Sequence, residues 1–110
     1  MAQNHAASGD IIDLQPLGRA LAGSVTTALI KSRQLELVRI VLLAGKTLRQ
    51  HQVPGEITVL CIEGEIEFTT LAGKHLLQPG QLIHLAANAP HDLRALADAT
   101  ALLTICLAAP

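Results

Sequence analysis

Short apolar segments separated by turn residues dominate the chain after residue 24. Several are rich in β-branched side chains, and segment 65–71 alternates polar with apolar residues, as a half-buried strand does. Turns are indicated at Pro54-Gly55, at Gly64 and at Pro79-Gly80. Strands are predicted at 25–30, 35–44, 57–62, 65–71, 75–77, 81–85, 93–97 and 100–107, with another ending near His51. Strands this short and closely spaced predict an all-β barrel or sandwich.

The first part of the chain has a different pattern. Residues 1–10 have the composition of a flexible N-terminus, and 11–14 are predicted to form a short strand. A helical turn or two is predicted over 16–22, with Pro16 early and Gly23 as the stop. No linker or repeat divides the remainder, so residues 11–110 are predicted to form one domain.

Composition limits the classes of partner. Half of the residues are hydrophobic and only 15% are charged, which predicts that a second copy covers part of the surface as a homodimer. Segment 57–62 supports this, because both of its faces are apolar. A net charge of −1 and a single aromatic residue, Phe68, argue against nucleic acid. We find no membrane-length apolar run and no signal peptide, so no membrane partner and a cytoplasmic location are expected.

The two cysteines, Cys61 and Cys106, both lie in apolar segments. They lack the spacing of a redox or zinc motif. Both are therefore predicted to be buried, reduced and slow to react.

Two spaced sets of residues carry the main chemical signal. Gly45, His51 and Gly64 fit part of the pattern G(x)5HxH(x)3-4E(x)6G, and Gly80 and His91 fit part of G(x)5PxG(x)2H(x)3N. In the second pattern, Ala86, Asn88 and Ala95 replace the Pro, Gly and Asn. Taken together and in this order, the two sets resemble those of the cupin superfamily, across about half of the chain. The resemblance implies a single double-stranded β-helix, or jelly-roll, barrel.

The resemblance also implies where a metal would bind. In metal-binding cupins, two His and a carboxylate of the first motif join one His of the second. His51 and His91 occupy two of these positions, whereas Val53 and Ile57 occupy the others and cannot coordinate a metal. Glu56 directly precedes Ile57, and a bulge at the turn would rotate it inward to form a triad of His51, Glu56 and His91.

The predicted pocket lies at the barrel mouth and is lined by His51, Val53, Ile57, Val59 and His91. An apolar wall with two imidazoles predicts a binding or sensing module for a small, fairly apolar molecule, with no cofactor. One alternative is a cupin enzyme of the dioxygenase or isomerase type, with a divalent transition metal on the triad. Another is a metal-free enzyme with His51 or His91 as general base.

The remaining polar residues have simpler interpretations. His84, between Ile83 and Leu85, is predicted to be a structural or interface histidine. Arg39, in an apolar strand, is either a buried anion clamp or part of an exposed or dimer face. Glu63, Glu65 and Glu67 flank a turn and are expected to be solvated.

Overall fold

Strands make up most of the regular structure. The computed structural model describes residues 5–50 and 53–107. In this part of the chain, one 3-10 helix, Gly18–Gly23, precedes nine strands. The strands are β1 (Thr27–Lys31), β2 (Leu35–Leu42), β3 (Thr47–Gln50), β4 (Ile57–Glu63), β5 (Ile66–Thr70), β6 (Gly73–Leu77), β7 (Leu82–Leu85), β8 (His91–Ala95) and β9 (Ala99–Cys106). The prediction of an all-β fold is confirmed.

The strands form two antiparallel sheets. One sheet has five strands in the order β1-β2-β9-β4-β7, and the other has four in the order β3-β8-β5-β6. Chain neighbours are often not sheet neighbours: β9, for example, lies between β2 and β4. This crossing between sheets is the jelly-roll arrangement, in which two sheets enclose one core.

The core lies between the sheets because alternate residues of each strand point inward. In β4 the buried side chains are Ile57, Val59 and Cys61, and in β5 they are Ile66 and Phe68. The same alternation in β8 buries His91, Leu93 and Ala95. An imidazole therefore occupies an inward position at the start of β8.

The N-terminal segment departs from the prediction in one place. The helix predicted at 16–22 is present as Gly18–Gly23, but the strand predicted at 11–14 is wrong. The Asp13 carboxylate accepts the Gln15 N–H at 2.9 Å, a local contact that competes with strand pairing. Ile11 is almost fully exposed, so the segment has no sheet neighbour to bury it. No helix in the described residues is long and apolar enough to cross a membrane.

The two cysteines differ in burial. Cys61 is fully buried, as predicted, whereas the prediction is wrong for Cys106, which is exposed at the end of β9. Burial raises the pKa of the Cys61 thiol, and the charges of Glu63 and Glu65 raise it further. Cys61 pairs with Ala101 across the sheet, so it lies about 16 Å from Cys106 along β9, too far for a mutual disulfide.

The turn after β4 depends on glycine. Gly64 has a φ of 81°, a left-handed backbone conformation that residues other than Gly, Asn and Asp rarely adopt. A Cβ atom here would overlap the carbonyl oxygen of Asp98 and crowd Ala99. The backbones of the two turns therefore meet where the first motif ends.

Candidate active site

His91 is the histidine that, among the described residues, the fold places inside the barrel. Its Nδ1 lies 3.1 Å from the carbonyl oxygen of Ala89. A carbonyl oxygen only accepts hydrogen bonds, so Nδ1 carries the proton in this contact. In the neutral ring, Nε2 then holds the lone pair and is the atom able to accept a proton or bind a ligand.

An aromatic contact fixes the plane of this imidazole. The Phe68 ring stacks on His91 with ring centroids 5.5 Å apart and an interplanar angle of 11°. Phe68 is fully buried, so it supports the imidazole from the core side. The Ala89 contact and this stack hold the ring in one orientation.

The loop before His91 is tied to the first motif. The Asn88 N–H donates to the carbonyl oxygen of Val53 at 2.7 Å. Asn88 stands where the second motif has glycine and has a φ of 63°. Asparagine tolerates this left-handed conformation better than other non-glycine residues do, so the turn keeps its shape without the glycine.

Three of the other predicted pocket residues belong to the core or pack against it, and the fourth, His51, lies outside the described residues. Ile57 and Val59 are buried core residues, and Val53 packs against this core. Gln50 of β3 is the strand partner of His91. His51 lies outside the described residues, so its juxtaposition with His91 stays a prediction.

Glu56 faces away from the barrel. Its Oε1 lies 2.7 Å from Nε2 of His84, and both side chains are more than half exposed. Because Ile57 points inward, the preceding residue points outward, and the structure shows no inward rotation. His84 thus forms an exposed pair with Glu56, a partner that the sequence interpretation did not assign to it.

Glu63 has a role that sequence reasoning missed. Its carboxylate accepts hydrogen bonds from Leu17 N–H at 2.7 Å, Gly18 N–H at 3.1 Å and the Thr100 hydroxyl at 2.7 Å. Burial opposes ionisation of this group, but the three donors outweigh burial, so the pKa of Glu63 is lowered. The expectation of a solvated glutamate is therefore wrong, and Glu63 anchors the start of the 3-10 helix to the sheet.

Comparison with known proteins agrees with this architecture. A family model described as a cupin domain matches residues 38–107. The chain belongs to the cupin family. The match includes every motif position from Gly45 to Ala95, so the resemblance read from the two motifs is confirmed.

Several solved structures share the fold at low identity. A cupin superfamily protein from Desulfitobacterium hafniense has a TM-score of 0.77 at 17% identity, over 94% of this chain and 100% of that one. A conserved protein of unknown function from Streptococcus pyogenes has a TM-score of 0.75 at 22% identity, over 97% and 95%. The DMSP lyase DddQ from Ruegeria pomeroyi has a TM-score of 0.69 at 24% identity, over 78% and 49%. A search of curated proteins finds no significant match.

Cupins often bind metals, but the donor set that the structure describes does not fit one. Val53 and Ile57 have no donor atoms, and Glu56 is paired with His84 on the outer side. Within residues 5–50 and 53–107, no three His, Cys, Asp or Glu side chains are grouped so that they would hold a metal ion. Of the predicted metal ligands His51, Glu56 and His91, His91 is the one that points inward among the described residues.

Proposed function

We propose that this cupin binds a small, largely apolar molecule at the barrel mouth, with Nε2 of His91 as the polar anchor. The fixed imidazole is the observation that carries the proposal. Its protonated Nδ1 and the Phe68 stack leave Nε2 as an acceptor on an otherwise apolar wall. Such a site, with few polar groups that fix orientation, is typical of small-molecule pockets.

The half-buried side chain of Val53 supports an apolar ligand. It packs against the core and offers hydrocarbon surface, and the Asn88 N–H of the loop before His91 donates to its carbonyl oxygen. Ile57 and Val59 are buried beneath it in the same core. A ligand with one hydroxyl, amide or acid proton would donate to Nε2 and place its hydrocarbon part against Val53. His51 is expected to supply a second polar contact, and the cytoplasm remains the expected location.

The same histidine favours a second candidate, a metal-free enzyme with His91 as general base. A neutral imidazole with a free Nε2 is the form that abstracts a proton. The two candidates differ in the fate of the ligand: a binding module returns it unchanged, whereas a general base exchanges or removes one of its protons.

NMR titration tests both candidates in one sample. Hydrophobic alcohols, amides and carboxylic acids are added in D2O to protein with 13C-labelled methyl groups. We expect shifts in the Val53 and Ile57 methyl signals and in the His91 ring signals. The ligand signals report simultaneously on proton exchange, which would favour the general base.

Two histidine variants make matched controls. His91→Leu should weaken binding by at least tenfold, because leucine has no acceptor atom to replace Nε2. His84→Leu changes an exposed histidine outside the barrel and should bind as the wild type does. Equal binding by both variants, or shifts confined to surface residues, would contradict the proposal.

A further inference from the structure

The outer face of the five-stranded sheet is apolar. Inward residues of its strands, such as Val38, Val59 and Leu103, belong to the core or pack on it. Residues of the opposite alternation point outward, and they include Leu37, Leu60, Leu82 and Leu102. Leu82 is 56% exposed, whereas the other three leucines are half-buried. We define the outer face as these four leucines with Arg39, Glu56, Thr58, His84 and Thr104.

An arginine with an unsatisfied nitrogen lies on this face. Arg39 is opposite Leu102, which in turn is opposite Leu60. The Nε of Arg39 is buried and has no hydrogen-bond partner among the described residues. Because this Nε is already covered by its own chain, the terminal Nη atoms of the guanidinium are the ones able to donate to another molecule.

The carboxylate of the outer face belongs to Glu56. The Cys106 N–H donates to the Glu56 carbonyl oxygen at 3.0 Å, so Glu56 lies beside Cys106 of β9. On the other side of β9, Arg39 of β2 lies beside Leu102. β2 and β4 flank β9 on opposite sides. With about 4.8 Å between strands and about 3.4 Å per residue, the Cα atoms of Arg39 and Glu56 are about 17 Å apart. Two side chains cannot span this distance within one copy.

Thr104 marks the midpoint between these two charges. It lies on β9, halfway between Leu102 and Cys106 and between the two flanking strands. We propose that a second copy of this chain docks face to face on the outer face, so that Arg39 of each copy pairs with Glu56 of the other. The two-fold axis lies in the contact plane over Thr104, perpendicular to the line from Arg39 to Glu56. A two-fold interface places the same patch on both sides, which this patch suits because it contains both charges.

The second copy also satisfies the other properties of the face. It covers Leu37, Leu60 and Leu102 and removes their hydrocarbon from water. One oxygen of Glu56 is bonded to His84, and the other remains able to accept from an arginine fork. Charged pairs inside an apolar contact fix its register, so one arrangement is favoured over sliding alternatives.

Sedimentation velocity of single and double charge variants tests this arrangement. The wild type should be a dimer at micromolar concentration. Arg39→Glu places two acidic groups together and Glu56→Arg two basic groups, so each should raise the dimer dissociation constant at least tenfold. The double variant R39E/E56R restores both pairs with opposite polarity and should return to within about threefold of the wild type.

Mixing the two single variants is the sharpest measurement. In a heterodimer of R39E with E56R, the two substituted positions face each other as a carboxylate and a guanidinium. The unchanged Arg39 of one copy faces the unchanged Glu56 of the other, so both pairs are attractive. Two samples that are monomeric alone should therefore form a one-to-one dimer when mixed.

Arg94→Glu and Asp92→Arg change exposed charges of β8, in the other sheet, and should leave the wild-type dimer intact. Circular dichroism confirms folding, and if R39E fails to fold, E56R alone still tests the contact because Glu56 is exposed. A monomeric wild type at 100 μM, a dimer unaffected by E56R, or no heterodimer from folded variants would overturn the proposal.

Discussion

Replacing Glu63 with glutamine should loosen the N-terminal segment from the barrel. The glutamate carboxylate accepts from the Leu17 and Gly18 amides and from the Thr100 hydroxyl. Glutamine keeps one acceptor oxygen, which serves the two donors that share Oε2, Leu17 and Thr100. Its NH2 group then faces the Gly18 N–H, and two donors cannot bond to each other.

The magnitude follows from these contacts. One hydrogen bond is lost, worth about 1 kcal/mol, and the other two lose the extra strength of a charged acceptor, about 1 kcal/mol each. Glu63 is half-buried, and solvent screening reduces this sum to roughly 1–2 kcal/mol. In a domain of this size, the midpoint of thermal unfolding should then fall by roughly 5–10 °C.

The effect of Glu63 should depend on pH in one direction. Because its pKa in the folded state is lowered from 4.5, its stabilising effect is present at neutral pH. As pH falls below the unfolded value, the unfolded state takes up the proton first, and the stabilisation disappears through the folded pKa. The difference between wild type and Glu63→Gln should therefore narrow on acidification.

Urea unfolding at neutral and acidic pH measures this difference, and hydrogen exchange reports on the Leu17 and Gly18 amides. Both amides should exchange faster in the variant. Glu65→Gln is the control, since the side chain of Glu65 has one exposed contact, with the Gln78 amide at 3.2 Å. Equal stability of Glu63→Gln and wild type at neutral pH, with unchanged exchange at both amides, would refute the anchoring role.

Two further predictions concern the thiol and the metal. Cys61 should react slowly with a thiol reagent in the native protein, because it is buried and its pKa is raised; rapid labelling of its peptide in mass spectrometry would show that β4 opens readily. Protein purified without chelator should contain far less than one transition metal per chain, since Val53 and Ile57 supply no ligand atoms. A stoichiometric metal that disappears in His91→Ala would contradict the donor-set argument.

Local patterns predicted most of the fold, because turn residues and alternation act over a few residues. The strand before Gly64 and the buried Ile57 and Val59 follow directly from such patterns. Glu63 was missed because two of its donors, Leu17 and Gly18, lie 46 and 45 residues away in sequence. Contacts over that distance depend on how the N-terminal segment crosses the sheet, which no local pattern records.

The candidate site was predictable in its framework and less so in its chemistry. His91 and the loop before it follow from motif spacing, and the structure places that histidine inside the barrel. The partner of Glu56 did not follow, since it depends on the pairing of β4 with β7, which brings His84 beside Thr58. His51 lies outside the described residues, so its position relative to His91 stays a prediction.

The residues that match the cupin motifs fall into two physical classes. Gly45, Gly64 and Gly80 all have φ values of 81–86°, and Asn88 adopts the same left-handed region in place of a glycine. These positions determine the path of the backbone, and that path is retained. Two of the four positions that would determine metal chemistry contain Val53 and Ile57, whose side chains make hydrocarbon contacts with the core. The other two contain His51 and His91. The chain thus keeps the backbone path of the motifs but has lost half of their ligand atoms, which is why we propose a binding pocket anchored by His91 rather than a metal centre.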